Sequence, residues 1–114
     1  MKAALFHNAE VRFEDHPKFA GVRIAKCVDS ARTQAVSVSF LDIGAGVEIP
    51  VHTHDLQVDS IYVVSGNGKA FVNGEWQNIE EGHYIFVPAA VEHGIRNTGK
   101  GPLRLFVHHS PPLF

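Results

Sequence analysis

Three histidines and one acid in this chain are spaced so that they can meet at one metal ion. His52-Thr53-His54 is followed by Asp59, and the segment Pro88-Ala89-Ala90-Val91-Glu92-His93 supplies a third imidazole. An H-x-H pair on an extended strand puts both rings on one face, because strand side chains alternate with a period of two. Neutral imidazole binds zinc, copper, iron and nickel, and a carboxylate adds negative charge and hardness. The expected cofactor is therefore a divalent transition metal: Fe, Mn, Ni, Cu or Zn. A closed structural zinc site more often uses thiolates, and Cys27 lies outside both blocks. Three imidazoles and one acid leave an octahedral ion with positions for water, oxygen or substrate, so the pattern predicts an open site.

These donors need a scaffold, and the bulk numbers bound it. The 114 residues make one domain spanning 1–114. A hydrophobic fraction of 45% suits a globular chain with a single core. Net charge is -2 with histidine neutral, and the sequence pI is near 6.4. No basic patch is present to neutralise phosphates, so nucleic acid is not an expected partner. Arg12-Phe13 and Lys18-Phe19 pair bases with aromatics, but Glu14 and Asp15 intervene and spoil a stacking platform. No apolar run approaches the roughly 20 residues of a spanning helix, so no membrane partner is expected. The stretch from Met1 to Phe6 is too short for a secretory h-region. With one cysteine and no leader, the expected compartment is the cytoplasm. Eight histidines are many for this length.

The elements that must hold the site read as short strands. Segments 22–28, 35–43, 60–65, 69–72, 76–79, 84–87 and 103–108 are mostly rich in β-branched and aromatic residues, and glycine or proline separates them. Asn73-Gly74 between two such runs suits a type I′ turn, where both central residues need positive φ. Gly99-Lys100-Gly101-Pro102 marks a second turn. No window carries the i, i+3, i+4, i+7 apolar stripe of a helix; Asp29 to Gln34 is a polar loop with at most one helical turn. About ten strands at the usual spacing imply an all-β sandwich or barrel.

Written out, one block runs from Gly46 through His52-x-His54 and Asp59 to Gly66. The other runs from Gly82 through Pro88 to His93 and Asn97. Order and internal spacing resemble the two motifs of the cupins. The short stretch from Gly66 to Gly82 resembles that of compact single-domain members. The resemblance implies a double-stranded β-helix, the jelly-roll barrel, with metal ligands His52, His54, Asp59 and His93 converging inside one mouth. There Ile61, Val63 and Ile95 would share the inward face. It implies a small-molecule ligand or substrate, and a homodimer in which Ala3 to Phe13 adds or exchanges a strand. Two positions depart from the family pattern. Ala90 stands where a glycine is usual, which changes a turn. Asp59 stands where a glutamate is usual, and its reach is shorter by about 1.5 Å, one C–C bond. Three outcomes are open: the strand shifts inward, a water bridges Asp59 to the ion, or three histidines hold the ion alone.

Other residues carry weaker claims. Two exposed rim histidines are the bland account of His52 and His54, and His93 in register weighs against it. His108 and His109 end the last strand, so alternation sends one of them inward, where it could stand behind the ligands or move protons. A solvated strand end is the commoner role. His83 is expected at a surface strand start and Asn97 at a strand end or turn. Cys27 is expected to be a buried small hydrophobe. Phe40, Phe86, Phe106 and Trp76 are expected in the core or at a dimer interface. Functionally, the pattern favours a metal-dependent enzyme, dioxygenase-like or isomerase/decarboxylase-like. The alternative is a non-catalytic ligand-binding or sensor cupin, and such sensors are usually fused to a helical DNA-binding unit with no counterpart in this sequence.

Overall fold

The computed structural model describes residues 2–114; Met1, the first residue of the stretch read as too short for an h-region, lies outside them. Ten strands follow a short 3-10 turn at Asn8–Glu10: β1 (Glu14–Asp15), β2 (Val22–Val28), β3 (Ser37–Ile43), β4 (Glu48–His52), β5 (Val58–Ser65), β6 (Asn67–Val72), β7 (Glu75–Glu80), β8 (Tyr84–Val87), β9 (His93–Asn97) and β10 (Leu103–Ser110). They form two antiparallel sheets, β1-β2-β3-β10-β5-β8 and β4-β9-β6-β7. No helix among the described residues is long and apolar enough to cross a membrane.

Period-two patterning explains which faces meet. Along β10, Leu103, Leu105, Val107 and His109 are buried, while the residues between them are half-buried on the outer face. β5 does the same with Asp59, Ile61 and Val63. The apolar ones among these side chains pack with Ile49, Ala70 and Ile95 of the smaller sheet into one core between the sheets. Each buried Leu, Ile or Val contributes about 1.5–3 kcal/mol. The expected inward placement of Ile61, Val63 and Ile95 is what the burial pattern gives.

Each strand read from the sequence is present, with β2 and β8 at the expected bounds. Composition does not separate three strands: the two-residue β1, and β4 and β9, which carry His52 and His93. Pro50 and Gly94 interrupt the β-rich composition of β4 and β9, which hides them. Asn73 and Gly74 have φ of 52° and 83°, as a type I′ turn requires. Asp29 to Gln34 makes a turn, with Arg32 N–H donating to Asp29 O. Ala3 to Phe13 forms no strand in this chain; the sheet edge starts at Glu14.

Some expected burials change. Cys27, near the end of β2, is half-buried rather than buried. Phe40 and Phe106 stack 4.7 Å apart on the outer face of the larger sheet, and Phe86 nearby is 57% exposed, so none of the three is core. Trp76 stacks under Arg96. Asn97 is buried and structural: its Nδ2 donates to Ile43 O and Gly101 O, and its Oδ1 accepts from Gly99 N–H.

Candidate metal centre

Two cross-strand pairs and one loop residue build the site. In the smaller sheet His52 of β4 lies opposite His93 of β9. In the larger sheet Asp59 of β5 lies opposite His109 of β10. The H-x-H pair does not sit wholly on a strand, because β4 ends at His52. His54 lies in the loop beyond, yet its ring is 4.8 Å from that of His52. The second block holds this loop in place: Ala90 N–H donates to His54 O at 2.8 Å. Ala90 has φ of 64°, the left-handed region where glycine is favoured. The turn keeps its shape with an alanine and carries strain for it. Gly94 lets β4 approach: a Cβ there would lie 3.1 Å from Ile49 O and Val51 N. That close approach brings His52 beside His93, with ring centroids 4.3 Å apart.

The carboxylate reaches the imidazoles directly despite its short side chain. Asp59 Oδ2 lies 3.1 Å from His93 Nε2, 3.2 Å from His109 Nε2 and 3.6 Å from His54 Nε2. Donor atoms of His52, His54 and His93 lie within 4.8 Å of one another, and so do those of His54, Asp59 and His109. Burial pushes the Asp59 carboxyl up, but hydrogen bonds with His109, His54 and His93 outweigh it and hold the group well below the usual carboxylate range. Burial pulls His93 down, and the bonds to Asp59 and to Val91 O overcome it, so His93 is raised. Burial dominates at His52 and lowers it, against the pull of Pro50 O.

These side chains fit a cation. His52 Nδ1 lies 2.7 Å from Pro50 O and His93 Nδ1 lies 2.9 Å from Val91 O. An Nδ1–H given to a carbonyl leaves Nε2 with a lone pair, the usual arrangement of a ligating histidine. At His93 both ring nitrogens face acceptors, so the ring satisfies both only as an imidazolium. A metal ion held by His93 and Asp59 would satisfy both without the proton. Asp59 Oδ1 and His109 Nδ1 are buried with no hydrogen-bond partner among the described residues. Such groups are costly unless something completes them. All four predicted residues are thus brought together, and a fifth, His109, joins them. His108 is the outward member of its pair, packed on Phe106, and His83 is exposed just before β8, where its Nδ1 accepts from Glu80 N–H.

The donors line one side of a cavity of about 470 Å³, within the ordinary size range of small-molecule sites. Ile24, Leu41, Ile49, Ile95, Leu105 and Val107 line its apolar wall, and His16, Lys18, Phe19, Lys26, Leu113 and Phe114 complete the lining.

Comparison with known proteins agrees with this architecture. The family model described as "Cupin domain" matches residues 39–109. The chain belongs to the cupin family. The jelly-roll barrel it resembles is the fold of this cupin's structural neighbours. A predicted oxalate decarboxylase from Thermotoga maritima superposes with a TM-score of 0.84 at 20% identity, covering 95% of this chain and 99% of that one. The polyketide cyclase RemF from Streptomyces resistomycificus superposes with a TM-score of 0.83 at 18% identity, covering 99% of this chain and 87% of that one. In sequence, the cupin is 28% identical over 78 residues to mannose-1-phosphate guanylyltransferase ManC of Salmonella typhimurium. That match takes in 68% of this chain but only 16% of the relative's length.

Proposed function

We propose that this cupin binds a divalent transition metal through His52, His54, His93, Asp59 and His109, and acts at that ion on a small organic molecule with oxygen donors. The observation that carries the reading is the convergence of four imidazoles and one carboxylate from both sheets beside an apolar cavity. When bound, such an ion supplies a Lewis acid that polarises a coordinated oxygen. The residues of the chain do the rest. His52 and His93 are aimed by backbone carbonyls. Asp59 lowers the net charge of the centre and reaches it directly, which favours the inward placement over a water bridge. The apolar wall excludes water and strengthens electrostatic interactions with a bound substrate.

Relatives of this fold include proteins described as a predicted oxalate decarboxylase and as a polyketide cyclase, both names that point to oxygen-rich organic substrates. The barrel alone does not fix a reaction. Elemental analysis of protein purified without added metal tests the centre. The expected result is a stoichiometric transition metal; a metal-free protein that also takes up none of the five candidate ions rejects it. Iron or manganese favours dioxygenase-like chemistry, which oxygen uptake over catechols, diketones and thiols would then register. Zinc favours isomerase- or decarboxylase-like chemistry. Ligand binding with no turnover across the panel instead assigns the cupin as a binding module.

A further inference from the structure

The cavity joins three kinds of surface, and their order constrains the ligand. One side carries the imidazoles and Asp59. The wall is aliphatic and aromatic. The solvent-facing part carries two ammonium groups, Lys18 and Lys26, and apart from Asp59 no acidic side chain lines the cavity among the described residues.

Lys26 is the better placed of the two. It is exposed at the rim of the cavity, on β2 opposite Ser39 of β3, which in turn lies opposite Val107 of β10. Ser39 and Val107 line the same cavity. A register shift between Lys26 and Val28 ends regular pairing just beyond the lysine, which β-bulges commonly do where a side chain is re-aimed. The Lys26 ammonium sits over the Phe114 ring, 4.9 Å from its centroid. Its acidic neighbour is Glu14 at 4.0 Å, an exposed and solvated carboxylate. Pairs of that kind are weak, so the ammonium can be recruited by a better partner. β2 lies two strands from the β10 that carries His109, roughly 10 Å at about 4.8 Å per strand. Lys18 is exposed on the loop before β2.

We propose that the site selects a flat, largely apolar organic anion, with chelating oxygens at the metal end, a ring against the apolar wall and a carboxylate at Lys26. This rests on the metal reading for its chelating end alone. The apolar and cationic contacts stand without an ion, and that makes the two separable.

Two probe sets test the proposal by calorimetry. The first, on zinc-loaded protein, compares acetylacetone, benzoylacetone and 4-acetoacetylbenzoate, which share a chelating diketone and successively add a ring and a remote carboxylate. Affinity is expected to rise at each addition. Lys26→Gln should erase the gain from the carboxylate, roughly fivefold for a partly exposed pair. It should leave benzoylacetone binding and zinc content unchanged, and Lys18→Gln should matter less than Lys26→Gln. The second set uses 2-naphthoate, which cannot chelate, on EDTA-treated protein. It should bind more weakly yet still depend on Lys26. If the diketones fail but 2-naphthoate binds through Lys26, the metal reading is wrong and the anion reading stands. If the carboxylate adds nothing, if Lys26→Gln binds every probe as the parent does, or if Lys18 carries the effect, the proposal is overturned.

Discussion

The two halves of the candidate metal centre are built on the same plan and finished differently. Each half is a cross-strand pair: His52 with His93 in the smaller sheet, Asp59 with His109 in the larger one. In the smaller sheet both rings are aimed through Nδ1 by carbonyls two residues earlier in the chain, Pro50 O and Val91 O. In the larger sheet neither residue has such a support. Asp59 is 4% and His109 7% exposed, and each keeps a buried atom without a hydrogen-bond partner among the described residues. One half is therefore pre-aimed by its backbone. The other holds a negative charge that only imidazoles satisfy. The difference teaches that one sheet supplies orientation and the other charge, and that the 3.1 Å contact of His93 with Asp59 couples them.

Removing the pre-aimed half should have the larger effect. His52→Ala combined with His93→Ala deletes both supported donors and leaves Asp59 with fewer partners. Metal content measured by elemental analysis is expected to fall to background. A double variant that retains full stoichiometry would remove these two residues from the ligand set. His109→Leu removes the imidazole from the other half while keeping the side chain buried and similar in size. Metal affinity in a competition titration should fall by more than the roughly ten- to hundredfold that loss of a non-ligating supporting partner costs. An unchanged affinity would reduce His109 to a buried neighbour of Asp59 and return the centre to three histidines and one acid.

Legibility in the sequence follows the same division. His52, His54, Asp59 and His93 lie in two blocks whose spacing survives any drift of the strands around them, so they could be read directly. His109 stands alone near the end of β10. The signal for it is the alternation of Leu103, Leu105 and Val107, which puts position 109 on the inward face and position 108 outside. That pattern says where a side chain points and nothing about what it meets. The partner, Asp59, is set by the β5–β10 register, a contact between distant parts of the chain. β4 and β9 were hidden for a related reason. Pro50 and Gly94 weaken their local β character, while tertiary pairing holds both strands together. Direct approach of Asp59 was also beyond local reading. The length of one side chain does not tell how closely the opposing strands come.

The smallest expected effect concerns the clamp on the third element of the site, the His54 loop. Ala90 adopts a left-handed conformation to present its N–H to His54 O, and an L side chain pays roughly 1–2 kcal/mol there. Glycine removes that strain but loses more chain entropy on folding, about 0.5–1 kcal/mol. Ala90→Gly should therefore stabilise the protein by about 0.5–1 kcal/mol, read as a rise in denaturation midpoint with an unchanged m-value. Metal affinity should stay as it is, because the hydrogen bond to His54 O comes from the backbone. Ala90→Val, with a branched Cβ at the same φ, should destabilise the fold and loosen metal binding as the His54 loop is released. If Ala90→Gly lowers stability, the chain entropy that glycine loses exceeds the strain it relieves, and the alanine holds the His54 loop from this turn at little cost.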